Sequence, residues 1–213
     1  MGDVNSRRCV RRLMCCLFAL AMVAATLPLV AYADHHEKPE MSEPEMSEEE
    51  QAMMQAWQES MQTGPEHEWL AARAGEYDAE IKTWMDPSGD PEVSQGTSSM
   101  EMVMGGRVLK ENFKGSFMGE EFHGVGYNGY DNVTGRYWGT WMDNMSTGFG
   151  ASWGDRDGDS LNMESKFPDP MSGEMKTSRL VITWKDDGSS VMEAFEDRGG
   201  EEVRTMEITY TPK

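Results

Sequence analysis

The sequence predicts an all-β protein, an up-and-down antiparallel β-barrel of about ten strands preceded by one or two short helices. Three observations carry this reading. From Gly75 onward, short apolar-rich segments alternate with turn clusters of Gly, Pro, Asp and Asn. No helical pattern separates these segments, so the chain lacks the crossovers that parallel strands require. Several segments place apolar residues at every second position, and a single open sheet built from them would leave two long edges and an apolar face. Closure into a barrel removes both problems.

The elements follow in chain order. Arg7, Arg8, Arg11 and Arg12 precede an apolar run from Leu13 to Val30, which ends at Ala31-Tyr32-Ala33. This is the pattern of a secretory signal cut before Asp34, and an uncleaved anchor is the alternative. Residues 1–33 are therefore read as a signal peptide, and the protein as exported, to the periplasm or beyond. The only cysteines, Cys9, Cys15 and Cys16, leave with the signal, so the mature chain has neither thiol chemistry nor disulfides. Loss of four arginines and one aspartate takes the net charge from −19 to −22. Such a chain repels nucleic acid and anionic lipid, and no membrane span is expected after cleavage.

Residues 34–66 form an acidic, Met-rich segment. Its first part, DHHEKPEMSEPEMSEEE, has the composition of a disordered tail. In QAMMQAWQESM, Met53, Trp57 and Met61 fall on one helical stripe, which predicts a short amphipathic helix docked on the barrel; an exposed partner-binding helix is the alternative. Thr63 and Glu66 are spaced as a capping box for a second short helix, HEWLAARA, with Gly75 as its stop.

Residues 67–213 form the barrel domain. Its strand segments are YDAEIKTWM, TSSMEMVM, RVLKENFKGSF, FHGVGYNGY, RYWGTWMD, FGASW, SLNMESKF, MKTSRLVITW, SVMEAFED and VRTMEITYT. The period of two is cleanest in Met100/Met102/Met104, Leu109/Phe113/Phe117, Leu180/Ile182/Trp184 and Met206/Ile208/Tyr210.

Three motifs resemble active-site signatures and fail in this setting. Gly124 to Gly129 satisfies G-x-G-x-x-G, but a turn and another strand follow where a dinucleotide site needs a helix, so the glycines are read as places where a bent strand needs no side chain. GASWG around Ser152 matches a nucleophile elbow, yet no histidine base lies beyond His123. Asp155 to Asp159, DRDGD, has Ser160 and Lys166 where a calcium loop needs Gly and Glu, and reads as a hairpin turn.

What remains is a set of binding residues. The aromatic and Met-rich strand faces predict a cavity lined by Met102, Phe113, Phe117, His123, Tyr137, Trp141 and Trp184, with the face of Tyr137 and Trp141 left open because RYWGTWMD carries aromatics on both parities. His67 and His123 serve either packing or a polar contact in the cavity. A separate metal reading lies at the new terminus: Asp34, His35 and His36 would offer an amine, two amides and a third-position imidazole to Cu(II). An enzyme working through His67 or His123 is a third possibility.

Several stretches carry a family resemblance. AWQESMQTGPEHEWLA, GGRVLKENFKGSFMGEEFHGVGYNGYDN, YWGTWMDNMSTG, FPDPMSG and MEITYT together resemble the bacterial domain-of-unknown-function family numbered 1579, over about Gln55 to Lys213. The resemblance implies a lipocalin-like or calycin-like barrel and no particular activity. Barrels of that wider class commonly open with G-x-W; this chain has Gly75-Glu76-Tyr77, whose hydroxyl needs a partner. The related haem-binding nitrobindins use a histidine near the C-terminus, where this chain has none after His123. The expectation is therefore a barrel that binds a small apolar or amphipathic molecule without catalysis, cofactor and oligomeric state unassigned, with copper handling as the alternative.

Overall fold

The computed structural model describes residues 46–213. The signal sequence and the Asp34-His35-His36 copper reading lie outside the described residues. Ten strands, β1 (Gly75–Thr83), β2 (Glu92–Val103), β3 (Val108–Phe117), β4 (Glu120–Asp131), β5 (Arg136–Asp143), β6 (Gly150–Asp157), β7 (Ser160–Pro168), β8 (Met175–Trp184), β9 (Ser190–Asp197) and β10 (Glu202–Pro212), form a closed antiparallel barrel. Each strand pairs with its sequence neighbours, and β1 meets β10 with Ala79 opposite Tyr210 and Ile81 opposite Ile208. The hairpin read at DRDGD is shorter than expected: Asp155 to Asp157 continue β6, and the chain turns at Gly158, φ +58°, and Asp159 into β7.

Two helices precede β1. Helix α1 (Glu48–Met61) starts at Ser47, whose hydroxyl accepts the Glu50 N–H at 3.3 Å while the Glu50 carboxylate accepts the Ser47 N–H at 2.9 Å. Glu48, Glu49 and Glu50 in its first turn favour the positive end of the helix dipole. Its apolar stripe does not dock: Met53 and Trp57 are both 65% exposed. The helix is fastened at its C-terminal end, where Arg107 Nη2 donates to the Met61 carbonyl at 2.6 Å and Asn132 Nδ2 to the Gln62 carbonyl at 2.6 Å. The barrel floor that an apolar stripe would cover is already occupied by the next helix.

That helix, α2 (Pro65–Ala71), is capped differently from the predicted box. Gly64 is the N-cap, Pro65 opens the first turn, and the Gly64 N–H donates to His67 Nδ1 at 3.2 Å. Thr63 and Glu66 do not cap it, because Glu66 points at the barrel instead. Gly75 does not end the helix either; it is the first residue of β1. Trp69 and Leu70 of α2 pack into the lower core with Leu109, Tyr137, Leu161 and Met163. The upper core joins Tyr77, Ala79, Phe113, Ile208 and Tyr210. The floor is thus the α2 end and the mouth is the opposite end, bounded by the β1–β2, β3–β4, β5–β6, β7–β8 and β9–β10 connections.

Parity holds along the strands with one exception. Met100 and Met102 face the core, but Met104 sits in the β2–β3 turn at φ +53° with its side chain exposed. The glycines of β4 have a specific task. A Cβ on Gly124 would overlap the Trp141 indole inside the barrel, and one on Gly129 would overlap the Trp138 indole outside it. The two rings lie flat across β4, so the G-x-G-x-x-G spacing records where indoles cross a neighbouring strand. Gly124→Ala is expected to lower unfolding stability by about 1–3 kcal/mol through overpacking and to reduce near-ultraviolet tryptophan dichroism; unchanged urea unfolding would show that the indole can move aside freely.

Candidate functional site

Six of the seven predicted lining residues lie at inward positions. Tyr137 and Trp141 share the inner parity of β5 with Gly139 and join the two cores, leaving Trp138 outside. Phe113 is buried against Phe122 and Trp141 with ring centroids 6.0 and 6.3 Å away, and Phe117 stands above it at the mouth, 6.5 Å from Phe122. Met102 and Trp184 pack against the lower core. His123 is the exception: it faces outward and is exposed, with Nε2 2.8 Å from Glu121 Oε1. The reason is parity, since Phe122 and Gly124 on either side point inward.

The floor is closed by aromatic and ionic contacts. Trp69 meets Trp184 at 4.8 Å and Tyr137 at 5.4 Å between ring centroids, and the Arg73 guanidinium stacks over Trp69 at 4.2 Å. The Tyr137 hydroxyl donates to the Glu66 carboxylate, which also accepts from Arg156 Nε at 3.1 Å. The tyrosine hydrogen bond, then Arg156, holds Glu66 below the usual carboxylate range, while burial and then Glu66 push the Tyr137 hydroxyl well up. Tyr77, standing where the wider class has tryptophan, donates its hydroxyl to the Arg73 carbonyl at 3.0 Å. His67 is buried here with its ring edge toward Tyr130, at 6.0 Å. Tyr137 and Trp184 therefore belong to the closed floor, while Trp141, Phe113 and Phe117 lie above it.

Halfway up the barrel lies a group that sequence reasoning missed. Glu111 on β3 is only 8% exposed, and its carboxyl accepts from the Ser98 hydroxyl at 2.7 Å on the paired strand β2. The Tyr210 hydroxyl faces the same carboxyl. Burial pushes the Glu111 carboxyl above its ordinary range, against the opposing pull of Ser98 and Tyr210, and Tyr210 is pushed up by burial and then by Glu111. A signal was present in the sequence: Glu111 occupies the parity of Leu109, Phe113 and Phe117, the only ionisable residue on that apolar face of β3.

The inner face also carries apolar side chains that are not fully covered. Ile81, Met100, Leu180, Ile182, Met192 and Met206 point inward and pack against the two cores, yet all are only half-buried. Four of the five mouth connections add an exposed methionine: Met85, Met118, Met145 and Met171. The best-walled recesses lie elsewhere. One, of about 150 Å³ beside the floor, is bounded by Arg73, Tyr77, Asp159 and Trp184; the other is a polar depression on the outer face of β1–β3, between Glu76, Thr97 and Lys114. The first is too small for a drug-sized ligand and the second is walled mostly by polar side chains. Ser152 is a buried strand residue whose hydroxyl faces the Met163 sulfur at 3.9 Å, in keeping with an ordinary strand role. Among the described residues no three His, Cys, Asp or Glu side chains are grouped to hold a metal. Nor, among those residues, is any helix long and apolar enough to cross a membrane.

The raised Glu111 carboxyl has a sign that can be measured. Between the ordinary carboxylate range and its raised value, the folded protein keeps a proton that the unfolded chain releases. Its contribution is therefore fully present below the ordinary range and is lost as pH rises through the raised value. Glu111→Gln should remove this dependence, so the variant gains stability relative to the parent as pH rises from 4 to 8. Parallel urea-unfolding profiles across that interval would sink the assignment.

The barrel and its motifs agree with what comparison finds. No curated protein is similar enough to the chain to count as a match. A family profile described as "Protein of unknown function (DUF1579)" matches residues 62–212, from the end of α1 through β10. The chain belongs to that family.

Proposed function

We propose that the protein is an exported, non-catalytic barrel that binds a small apolar or amphipathic molecule. The observation that carries this reading is the half-buried inner face: in a strand-built core packed solid, Leu180, Ile182, Met192 and Met206 would be covered, as Leu161 and Met163, the β7 partners of Ile182 and Leu180, are. An apolar body entering from the mouth completes that burial. The methionines on the mouth connections suit such passage, because an unbranched thioether adapts to irregular apolar shapes. Trp141 on the inner wall places a fluorophore beside the ligand.

Nile red, a neutral apolar dye, is expected to bind the purified protein saturably with a Kd on the order of 1 μM and to quench tryptophan emission, with less quenching in Trp141→Phe. Met192→Trp, which fills the inner face, should weaken binding at least roughly tenfold, a loss of about 1.4 kcal/mol, while leaving the β-type circular dichroism intact. Dye binding that is unsaturable, or indifferent to Met192→Trp, is the result that counts against an internal site.

A further inference from the structure

The charges on the inner wall point to the head group of the ligand. Inward positions above the floor carry Glu111 at mid-height and Asp143 and Glu196 toward the mouth, the Asp143 carboxylate accepting the Trp141 Nε1–H at 3.0 Å. Two cations occupy inward strand positions among the described residues, and both are engaged: Arg156 at the floor with Glu66, at 3.1 Å, and Lys176 at the mouth with Asp169, at 3.0 Å; a third cation, Arg73, is stacked within the closed floor on Trp69 and Trp184. An amphiphile with a carboxylate head would therefore bring an anion toward Glu111, Asp143 and Glu196 without meeting a free positive partner. Taking that anion out of water uncompensated is costly.

We propose that the barrel selects cationic amphiphiles, an apolar chain with a single protonated amine, and that Glu111 is the acceptor of that amine. This rests on the binding reading above and goes beyond it by fixing the head group. Glu111 is suited to the task by placement. It lies between the lower and upper apolar cores and its carboxyl is held by the Ser98 hydroxyl. An ammonium brought beside it favours the ionised carboxylate and makes a charge-assisted hydrogen bond, stronger than one between neutral partners. The acid-rich chain, −19 overall, adds a long-range field that draws cations and repels anions.

The test uses one chain length and three heads. Dodecylammonium, dodecanol and dodecanoate, each below its aggregation threshold at pH 7 and low salt, compete with bound Nile red. The ammonium is expected to bind roughly tenfold or more tighter than the alcohol, the fold-change a charge-assisted hydrogen bond supports, and the carboxylate weakest of all. Glu111→Gln should reduce the ammonium to the affinity of the alcohol while dodecanol binding stays as it was; the exposed Glu164→Gln should change neither. Equal binding of ammonium and alcohol by the unmodified protein overturns the head-group assignment and leaves the apolar-ligand reading standing. An ammonium preference undiminished in Glu111→Gln transfers the selection to the general field and overturns the role of Glu111. Failure of all three to displace the dye, or of the dye to bind, overturns both. If the variant does not fold, the ranking on the unmodified protein is repeated at high salt: an ammonium preference that survives screening upholds a buried acceptor, and one that vanishes assigns it to the general field and overturns the role of Glu111.

Discussion

The pairing of β1 with β10 is the constraint on which the rest of this structure depends. A ten-strand meander has local partners for its inner strands, but β1 and β10 are far apart in sequence and each would otherwise present an unpaired edge. Their union also fixes the floor. Because α2 runs into β1 after a short turn, closure carries Trp69 and Leu70 under the barrel and leaves Glu66 beside Tyr137 and Arg156, which come from β5 and β6. Local strand pairing builds the wall; the one long-range pairing decides where the helix goes and which end stays open.

Much of this was legible in the sequence, and for a physical reason. Strand identity depends on a period of two and on turn chemistry, both local, so RYWGTWMD, MKTSRLVITW and SVMEAFED are strands with the predicted limits. Parity alone also settles the faces once one residue of a strand is placed, as β5 shows: Tyr137 and Trp141 go inward together because they are four apart. Misreadings arose where two local rules competed. Thr63 and Glu66 have capping-box spacing, but Pro65 starts the helix one residue later and Tyr137 with Arg156 offers Glu66 a better partner. His123 seemed suited to a pocket by its aromatic neighbours, although alternation puts it on the opposite face from Phe122. The α1 stripe is periodic as a docking helix would be, and periodicity cannot tell whether the surface it would cover is already taken.

Glu111 shows a different kind of blind spot. A search of strands for apolar alternation passes over the polar residue that breaks the pattern, so Leu109, Phe113 and Phe117 were visible while the residue between them was not. Yet the interruption is the informative feature. A carboxyl in an apolar barrel opposes folding unless it is hydrogen-bonded, and Ser98 on β2 and Tyr210 on β10 supply those contacts from neighbouring regions of the wall. A leucine at this position would satisfy the same strand pattern with no desolvation cost, so a purely structural account of the barrel leaves the choice of glutamate without a rationale.

The same reasoning applies to burial along the barrel axis. Near the floor, Leu70, Leu161 and Met163 are almost fully covered, and contacts among Trp69, Tyr137 and Trp184 consolidate them. On the adjoining strands β8 to β10, Leu180, Ile182, Met192 and Met206 leave apolar area unburied that could contribute about 25 cal/mol per Å² if covered. Larger residues at those positions would recover part of that energy at little topological cost. Burial is thus complete along one stretch of the inner face and partial along another. The well-covered part supports the fold, and the half-buried part is the surface to which the binding reading proposed above assigns a ligand.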